Sequence, residues 1–436
     1  MTDMQRLPKD IRFGEPLSTP ILMSPLTPLY PSTASKLVLW QTYIDVVDPT
    51  LKLFHIPTAQ REFVKAIQDP STIEPAMECL MFAVYYSFIA TMPVSACLST
   101  FSEDKAVLIR RYRLGVETAL LKSKFLHSSD VKVLQALTFV RNSDDQPDMQ
   151  ALMSIAIGNA MRMGLNCERA MLDLSAFETE MCRRLWWQVY ILDVRTSMEC
   201  GAEPSIREQT ISMKKPRNVN DIALHPDMTV LPDSQDEKTE MTLILVRIQG
   251  SKITRRTIFS ESFNRTNGYS TLTREGKCQK LDEFKETAEM KYLIRNSSQI
   301  PLDVIASATA KLIVAKLKVM FCQPQTTEAS GSSLRDTYKV LCLDVLKESH
   351  KVRCYKLGRP WSWLFEACVE WDALTYVLLD LCVTPRSGSS EDAYHVVDQV
   401  CTEWQRDPDL VGDTRWQLIE ALWLEVKSAR RMNSMV

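Results

Sequence analysis

Apolar residues at steps of three and four are the feature that most constrains how this chain can fold. In the segment 177–193, Met181, Leu185, Val189 and Leu192 follow this spacing, which places them on one side of an α-helix. The same spacing recurs in segment after segment, whereas alternating strand-like runs are scarce and the 436 residues include only 12 glycines. The sequence therefore predicts an all-α fold, a large helical array.

The domain organisation follows from the same pattern and from proline. Residues 1–34 contain six prolines and little apolar periodicity, so we expect a proline-rich tail or linker there. Residues 35–436 are predicted to form one helical domain. An alternative is two halves, 35–200 and 237–436, joined by a proline-containing excursion over the surface. The predicted helices cover 36–47, 60–68, 73–91, 103–122, 130–142, 147–163, 175–197, 238–257, 279–296, 301–321, 333–355, 362–382, 391–404 and 414–430.

Composition disfavours several classes of function. Fifty-two basic and 54 acidic residues leave a formal charge of -2, without the basic excess that phosphate-backbone binding requires. Twelve cysteines include no CxxC, and the most closely spaced pair is Cys342 and Cys354, so a zinc-thiolate cluster is not expected from these residues. The five histidines form no metal-binding pattern, and no nucleophile elbow or phosphate-binding loop is present. We therefore predict no catalytic, cofactor-binding or metal-binding residues.

The N-terminal residues and one uncharged segment bear on location. The first ten residues mix charge and proline where a secretory leader needs an apolar run, so we expect the protein to stay inside the cell. Residues 79–102 contain no charge and compete as a membrane span, but they include Pro93 and several hydroxyl side chains. A buried core helix is the preferred interpretation.

The region 151–221 combines motifs in a distinctive order. A helix of small and apolar residues ends at a glycine, and an acidic residue, an arginine pair, Leu-Trp-Trp and an aspartate follow in the next helix. Further on come a Gly-x-x-Pro turn and the Lys-Pro-Arg-Asn-Val-Asn-Asp stretch at 215–221. The residues at these positions are Arg162, Gly164, Leu165, Glu180, Arg183, Arg184, Leu185, Trp186, Trp187, Asp193, Gly201 and Pro204.

These motifs resemble the fungal-specific transcription factor domain, the regulatory middle region of fungal zinc-cluster transcription factors. The segments 39–49 and 239–247 are similar to its opening helix and a later helix, and 361–376, with Trp363 and Trp371, resembles a helix of secondary-metabolite regulators. The resemblance implies a helical regulatory domain of a nuclear, pathway-specific transcription regulator. It implies other regulators or a second copy as partners, and a small-molecule effector as a further one. DNA contact would then be indirect, through a partner or a missing N-terminal module.

Two interpretations of the motif residues stay open. Arg183, Arg184, Trp186, Trp187 and Asp193 could line an effector pocket, since aromatic walls with a charged anchor suit a small molecule. Alternatively, arginine packed on tryptophan and paired with a carboxylate holds helices together, and this structural role is the preferred one.

Three functional hypotheses follow. The first is the regulatory module of a transcription regulator. The second is an enzyme or biosynthetic accessory protein on the same scaffold, for which the sequence offers no catalytic constellation. The third is a modulator that lacks DNA-reading capacity and pairs with an intact family member. The basic run 214–217 overlaps weakly with a nuclear import pattern, although solvated surface is the simpler explanation.

Overall fold

The protein is all-α, as predicted. The computed structural model describes residues 26–69, 72–140, 146–259, 270–323, 332–366, 370–383 and 388–434, and no strand occurs within these ranges. Residues 1–25 of the predicted tail lie outside them. The helices are α1 Thr33–Thr42, α2 Asp48–Leu51, α3 Ile56–Gln68, α4 Pro75–Thr91, α5 Val94–Phe101, α6 Lys105–Lys122, α7 Val131–Phe139, α8 Gln146–Arg162, α9 Ala176–Cys200, α10 Thr242–Ile258, α11 Arg274–Ala288, α12 Pro301–Cys322, α13 Ser332–Arg353, α14 Trp363–Glu366, α15 Trp371–Val383, α16 Gly388–Trp404, α17 Pro408–Val411 and α18 Thr414–Ser434.

Contacts divide the chain into two compact units. Unit 1 comprises Met1–Arg255 and Ser262–Ser270, and unit 2 comprises Arg256–Glu261 and Thr271–Val436. The division falls after Arg255, within α10. The two halves predicted from the sequence are separated at 201–236, and that domain assignment stays a prediction.

Helix α4 forms the centre of unit 1. It packs against α6 and α7, and every residue from 79 to 89 is buried. Among the described residues, no helix has the length and hydropathy needed to cross a bilayer. The uncharged segment is thus a core helix that ends at Thr91, where Met92 and Pro93 interrupt it. The separate helix α5 that follows was not predicted.

Helices α8 and α9 pack against each other and carry the motif region. Helix α9 begins with a capping box in which the Ser175 hydroxyl accepts from the Glu178 amide and the Glu178 carboxylate accepts from the Ser175 amide. Gly164 after α8 and Gly201 after α9 have φ angles of 72° and 62°, which favour glycine. These local signals fix where α9 starts and stops, and so which of its side chains face the neighbouring segments.

The core of unit 2 contains a group of tryptophans. Trp371 of α15 packs edge-on against Trp404 of α16, with 5.0 Å between ring centroids, and Trp416 and Trp423 of α18 belong to the same cluster. Trp363 is also buried. The sequence predicted a single helix over 362–382, of which residues 367–369 lie outside the described ranges; α14 and α15 lie on either side of them.

Candidate functional site

Arg184 on α9 lies at the centre of a buried ion-pair network. Its side chain has no solvent exposure, and its Nη1 lies 2.7 Å from Asp221 Oδ1 and 3.2 Å from the carbonyl oxygen of Phe54. Its Nε lies 3.8 Å from Glu180 Oε1, one helical turn earlier. A buried guanidinium needs such partners, because an unpaired charge inside a protein costs several kcal/mol.

Lys52 is the second buried cation of the network. It ends α2 in the left-handed conformation, with φ 47°, and its ammonium lies within 3.0 Å of three carboxylates: 2.9 Å from Asp48, 3.0 Å from Asp221 and 2.8 Å from Glu240. Asp221 also accepts from the Ile56 amide at 3.1 Å. One carboxylate thus holds together the start of α3, helix α9 and the end of α2.

The pKa values of the two aspartates move in opposite directions. Burial raises the pKa of Asp48 to about 6, more than Lys52 lowers it, and the Asp221 charge adds to the rise. Burial also acts on Asp221, but Arg184 and Lys52 together outweigh it and lower its pKa. Asp221 is therefore the firmly ionised anchor, and Asp48 is the carboxyl that gains a proton first as pH falls.

Arg183 forms a neighbouring ion-pair cluster on the same turn of α9. It pairs with Glu168 and, at 3.3 Å, with Glu180. Each of these carboxylates also accepts a backbone amide from the segment after α9: Glu168 from Lys214 at 3.1 Å, and Glu180 from Arg217 at 2.9 Å. Burial raises the pKa of Glu180 despite the two arginines, whereas Arg183 and the Lys214 amide outweigh burial and lower the pKa of Glu168.

Further contacts hold the segment 201–236 along α9. Asp193 accepts from the amides of Ser205 at 2.9 Å and Ile206 at 3.0 Å, and the Trp187 indole donates to the Lys214 carbonyl at 2.8 Å. Several residues of this segment are buried, namely Pro204, Ile206, Met213, Pro216, Asn218, Val219, Asp221 and Leu224. The surface excursion predicted from the sequence is anchored at these residues, where hydrogen bonds to α9 take the place of regular secondary structure.

The other predicted residues occupy varied positions. Arg162 donates to the Ser128 carbonyl at 3.1 Å and to Asn159 Oδ1 at 2.7 Å. Trp186 is fully buried. Gly164 and Gly201 occupy helix-ending turns, and Trp363 and Trp371 belong to unit 2. On α9, Glu180 thus contacts both Arg183 and Arg184, whereas Trp187 and Asp193 bond to the segment after the helix.

Sequence reasoning did not single out several members of the network. Asp48 and Glu240 lie within the compared segments 39–49 and 239–247 but were given no role, whereas Lys52 lies outside every compared segment and is 169 positions from Asp221. Asp221 itself ends the 215–221 stretch that carried the resemblance, so its place in that motif was the available signal. For Lys52 the only local hint was a lysine within an otherwise apolar run.

A cleft of about 460 Å³ adjoins the network within unit 1. His55 joins the two: its Nε2 donates to the Asp221 carbonyl at 3.1 Å, so its Nδ1 accepts from the Thr58 hydroxyl at 2.8 Å. Burial lowers the pKa of His55, which favours this neutral form. The cleft is otherwise mostly apolar and is lined by Leu53, Phe54, Phe63, Leu80, Val131, Gln135, Phe177 and Met181, among others.

The chemistry available at this site is that of a stabilising core. The carboxylates described above are occupied by buried cations and backbone amides. Within the described ranges, no group of three or more histidine, cysteine, aspartate or glutamate side chains is arranged to hold a metal ion. The network links α2, α3 and α9 to Asp221.

This helical array carries its arginine pair and tryptophans on one long helix that is bonded to the segment after it. The model of the fungal specific transcription factor domain matches residues 40–293. The chain belongs to that family. The match spans every member of the ion-pair network, from Asp48 to Glu240.

Curated relatives extend the similarity beyond the family match. The aurofusarin cluster transcription factor aurR2 of Gibberella zeae is 29% identical over 90% of this chain and 59% of its own length. The transcriptional regulator AacuB of Aspergillus aculeatus is 28% identical over 88% of this chain and 53% of its own length. The pyriculol/pyriculariol biosynthesis cluster transcription factor 1 of Pyricularia oryzae is 31% identical over 50% of this chain. The chain thus spans little more than half the length of the first two relatives.

Proposed function

We propose that this protein regulates transcription of a secondary-metabolite biosynthetic gene cluster, and that the chain is its helical regulatory and partner-binding domain. The observation that carries the proposal is the family match over 40–293, together with relatives named as cluster transcription factors that align over most of this chain. The ion-pair network supports a domain whose motif residues build a rigid scaffold.

The proposal extends to partners and location. A net charge of -2 and the absence of closely spaced cysteines in this sequence favour DNA contact through another module or a partner regulator. The nucleus is the compartment in which such a regulator acts. Partners would be other regulators or a second copy of the chain, and a small-molecule effector would adjust the activity.

An enzymatic role is not part of the proposal. The relatives are named as transcription factors, and the buried charges described above pair with one another and with backbone amides. A modulator that pairs with an intact family member is compatible with the same domain, and co-purification with a zinc-cluster factor would support that form of the proposal.

Gene deletion in the host, followed by transcript measurement across neighbouring biosynthetic genes, tests the proposal. Deletion should change the level of those transcripts, and the wild-type gene should restore it. A complementing Arg195→Met gene, which alters a partly exposed pair on α9, should also restore it, whereas Arg184→Met should not. Unchanged cluster transcripts in the deletion strain would contradict the proposal.

A further inference from the structure

Two cysteines from different helices of unit 2 lie side by side. Cys278 belongs to the first half of α11, and Cys322 is the last residue of α12. The two helices pack against each other, and the Cys278 side chain lies close enough to the Cys322 thiol to accept a hydrogen bond from it. Both cysteines are free thiols and both are partly exposed. The pair is therefore within reach of small solutes.

The register of α11 and α12 accounts for this proximity. The Lys318 ammonium lies 3.1 Å from Asp282 Oδ1, and the Arg274 guanidinium donates to the Phe321 carbonyl at 3.5 Å. These contacts advance along α12 as they go back along α11, so the two helices run antiparallel. One helical turn back from Asp282 and one turn on from Lys318 are the two cysteines. Contacts on both sides thus hold the thiols opposite each other.

The surroundings of the two thiols differ. Burial raises the pKa of the Cys322 thiol, and the adjacent Cys278 adds to the rise, whereas Arg274 and Lys318 lower it without offsetting burial. The thiolate is the reactive form of cysteine, so Cys322 is poorly suited to react first with an oxidant. An accessible cysteine next to a second thiol that can close a disulfide is the arrangement typical of redox-sensing sites.

We propose that Cys278 and Cys322 form a reversible disulfide when hydrogen peroxide reaches unit 2. The Cys278 thiolate attacks one peroxide oxygen, the O–O bond breaks, and the hydroxide that leaves takes up the thiol proton to give water. The Cys322 sulfur then attacks the sulfenic sulfur of Cys278, the S–S bond forms, the S–O bond breaks and a second water leaves. The two thiols lose two electrons, which reduce the peroxide to two waters. Two molecules of a small thiol restore both cysteines by exchange and become a disulfide themselves.

The disulfide would join α11 to the end of α12. Because Cys322 ends its helix, the backbone there can adjust to the geometry of the bond with little loss of helical hydrogen bonding. A cross-link over residues 278–322 restricts the unfolded chain, so the oxidised protein should be more stable than the reduced one. This chemistry does not require the transcriptional role proposed above, so the two proposals can fail separately.

Peptide mapping of the purified chain tests the proposal. The reduced protein is freed of reductant, treated with hydrogen peroxide, alkylated and digested with trypsin without reduction. Residues 278–280 and 319–335 are tryptic peptides, and they should appear linked, two hydrogens lighter than their sum, in a larger amount than any other linked pair. The oxidised protein should run as a monomer on a non-reducing gel and melt several degrees above the reduced one, and dithiothreitol should reverse both the link and the shift.

Three variants make the result decisive. Cys278→Ser and Cys322→Ser should each remove the link and the oxidative rise in melting temperature, while their reduced forms melt close to the reduced wild type. Cys354→Ser, which changes an exposed cysteine elsewhere in unit 2, should keep both the link and the rise. The proposal is wrong if peroxide oxidises other cysteines of the wild-type chain without linking 278–280 to 319–335. It is also wrong if the link joins two molecules, or if the rise in melting temperature persists in Cys278→Ser.

Discussion

Arg184 and Asp221, 37 positions apart in sequence, form an ion pair of 2.7 Å in which neither side chain is more than 5% exposed. The pair joins the longest helix of unit 1 to the end of the segment that follows it. Asp221 also binds Lys52 and the Ile56 amide. Loss of the Arg184 or the Asp221 side chain therefore leaves an unpaired buried charge where α2, α3 and α9 meet.

Removing the guanidinium should be strongly destabilising. Arg184→Met should lower the free energy of unfolding by about 3–5 kcal/mol, because Asp221 and Glu180 stay buried with fewer counter-charges. Urea denaturation followed by circular dichroism measures this. Arg195→Met, which removes a partly exposed 2.7 Å pair with Glu199 on the same helix, should cost less than about 1 kcal/mol. Equal decreases in the free energy of unfolding of the two variants would show that the buried pair stabilises the fold no more than the partly exposed pair does.

Asp48 should make stability depend on pH in the direction opposite to an ordinary ion pair. Its pKa rises from an ordinary 3.8 to about 6 in the folded protein, so the folded state holds the proton more tightly and this group opposes folding increasingly between these two values. Asp48→Asn should therefore be more stable than wild type near neutral pH by on the order of 1–3 kcal/mol, and the difference should vanish as pH falls toward 4.

Thermal melts of both proteins across this pH interval measure the effect. Asp45→Asn, which changes an exposed carboxyl three positions earlier, is the matched control and should change the melting temperature little. A stabilisation by Asp48→Asn that is the same at both ends of the interval would contradict the assignment.

Two helical glycines should respond oppositely to alanine. At Gly115 of α6 a new methyl group would overlap the Phe82 ring of α4, so Gly115→Ala should destabilise by about 1–3 kcal/mol. At Gly158 of α8 nothing lies within 4 Å of the new methyl group, and Gly158→Ala should stabilise by about 0.5–1 kcal/mol through helix propensity. Denaturant midpoints decide between these signs, and a stabilising Gly115→Ala would show that α4 and α6 are packed less closely.

Asp193 should control the mobility of the segment after α9. It accepts two backbone amides, from Ser205 and Ile206, and an asparagine side chain offers only one acceptor oxygen. Asp193→Asn should therefore speed hydrogen exchange of peptides covering 201–210, while peptides from α4 keep wild-type protection. Unchanged exchange in 201–210 would mean that other contacts suffice to hold the segment.

The sequence predicted helices well wherever local signals agreed. Helix α9 was expected over 175–197 and spans Ala176–Cys200, because its apolar spacing lies between the Ser175 cap and Gly201. Helix α12 was expected over 301–321 and spans Pro301–Cys322, with proline in its first turn. Helix α5 was missed because Pro93 and the serines around it read as the end of a helix, whereas Pro93 is the N-cap of the next one.

Only part of the buried network could be predicted from the sequence. Glu180 and Arg184 are one helical turn apart, so their proximity follows from helix geometry. Their partners Asp221 and Lys52 come from distant parts of the chain, and no local pattern signals a contact across 169 positions. The hydrogen bonds that hold the segment 201–236 along α9 could not be predicted for the same reason, since backbone hydrogen bonds to side chains leave no period in the sequence.

The wide sequence spacing of the network bears on how the protein is made. Lys52 leaves the ribosome long before Asp221 and Glu240, yet both carboxylates complete its surroundings. During synthesis the ion pairs of Lys52 with these two carboxylates cannot form until the chain has grown past residue 240, and until then its ammonium group stays hydrated. Contacts between residues so distant along the chain slow folding, and they prolong the time for which apolar surface is exposed to solvent. A nascent chain stalled before that point should need chaperone protection.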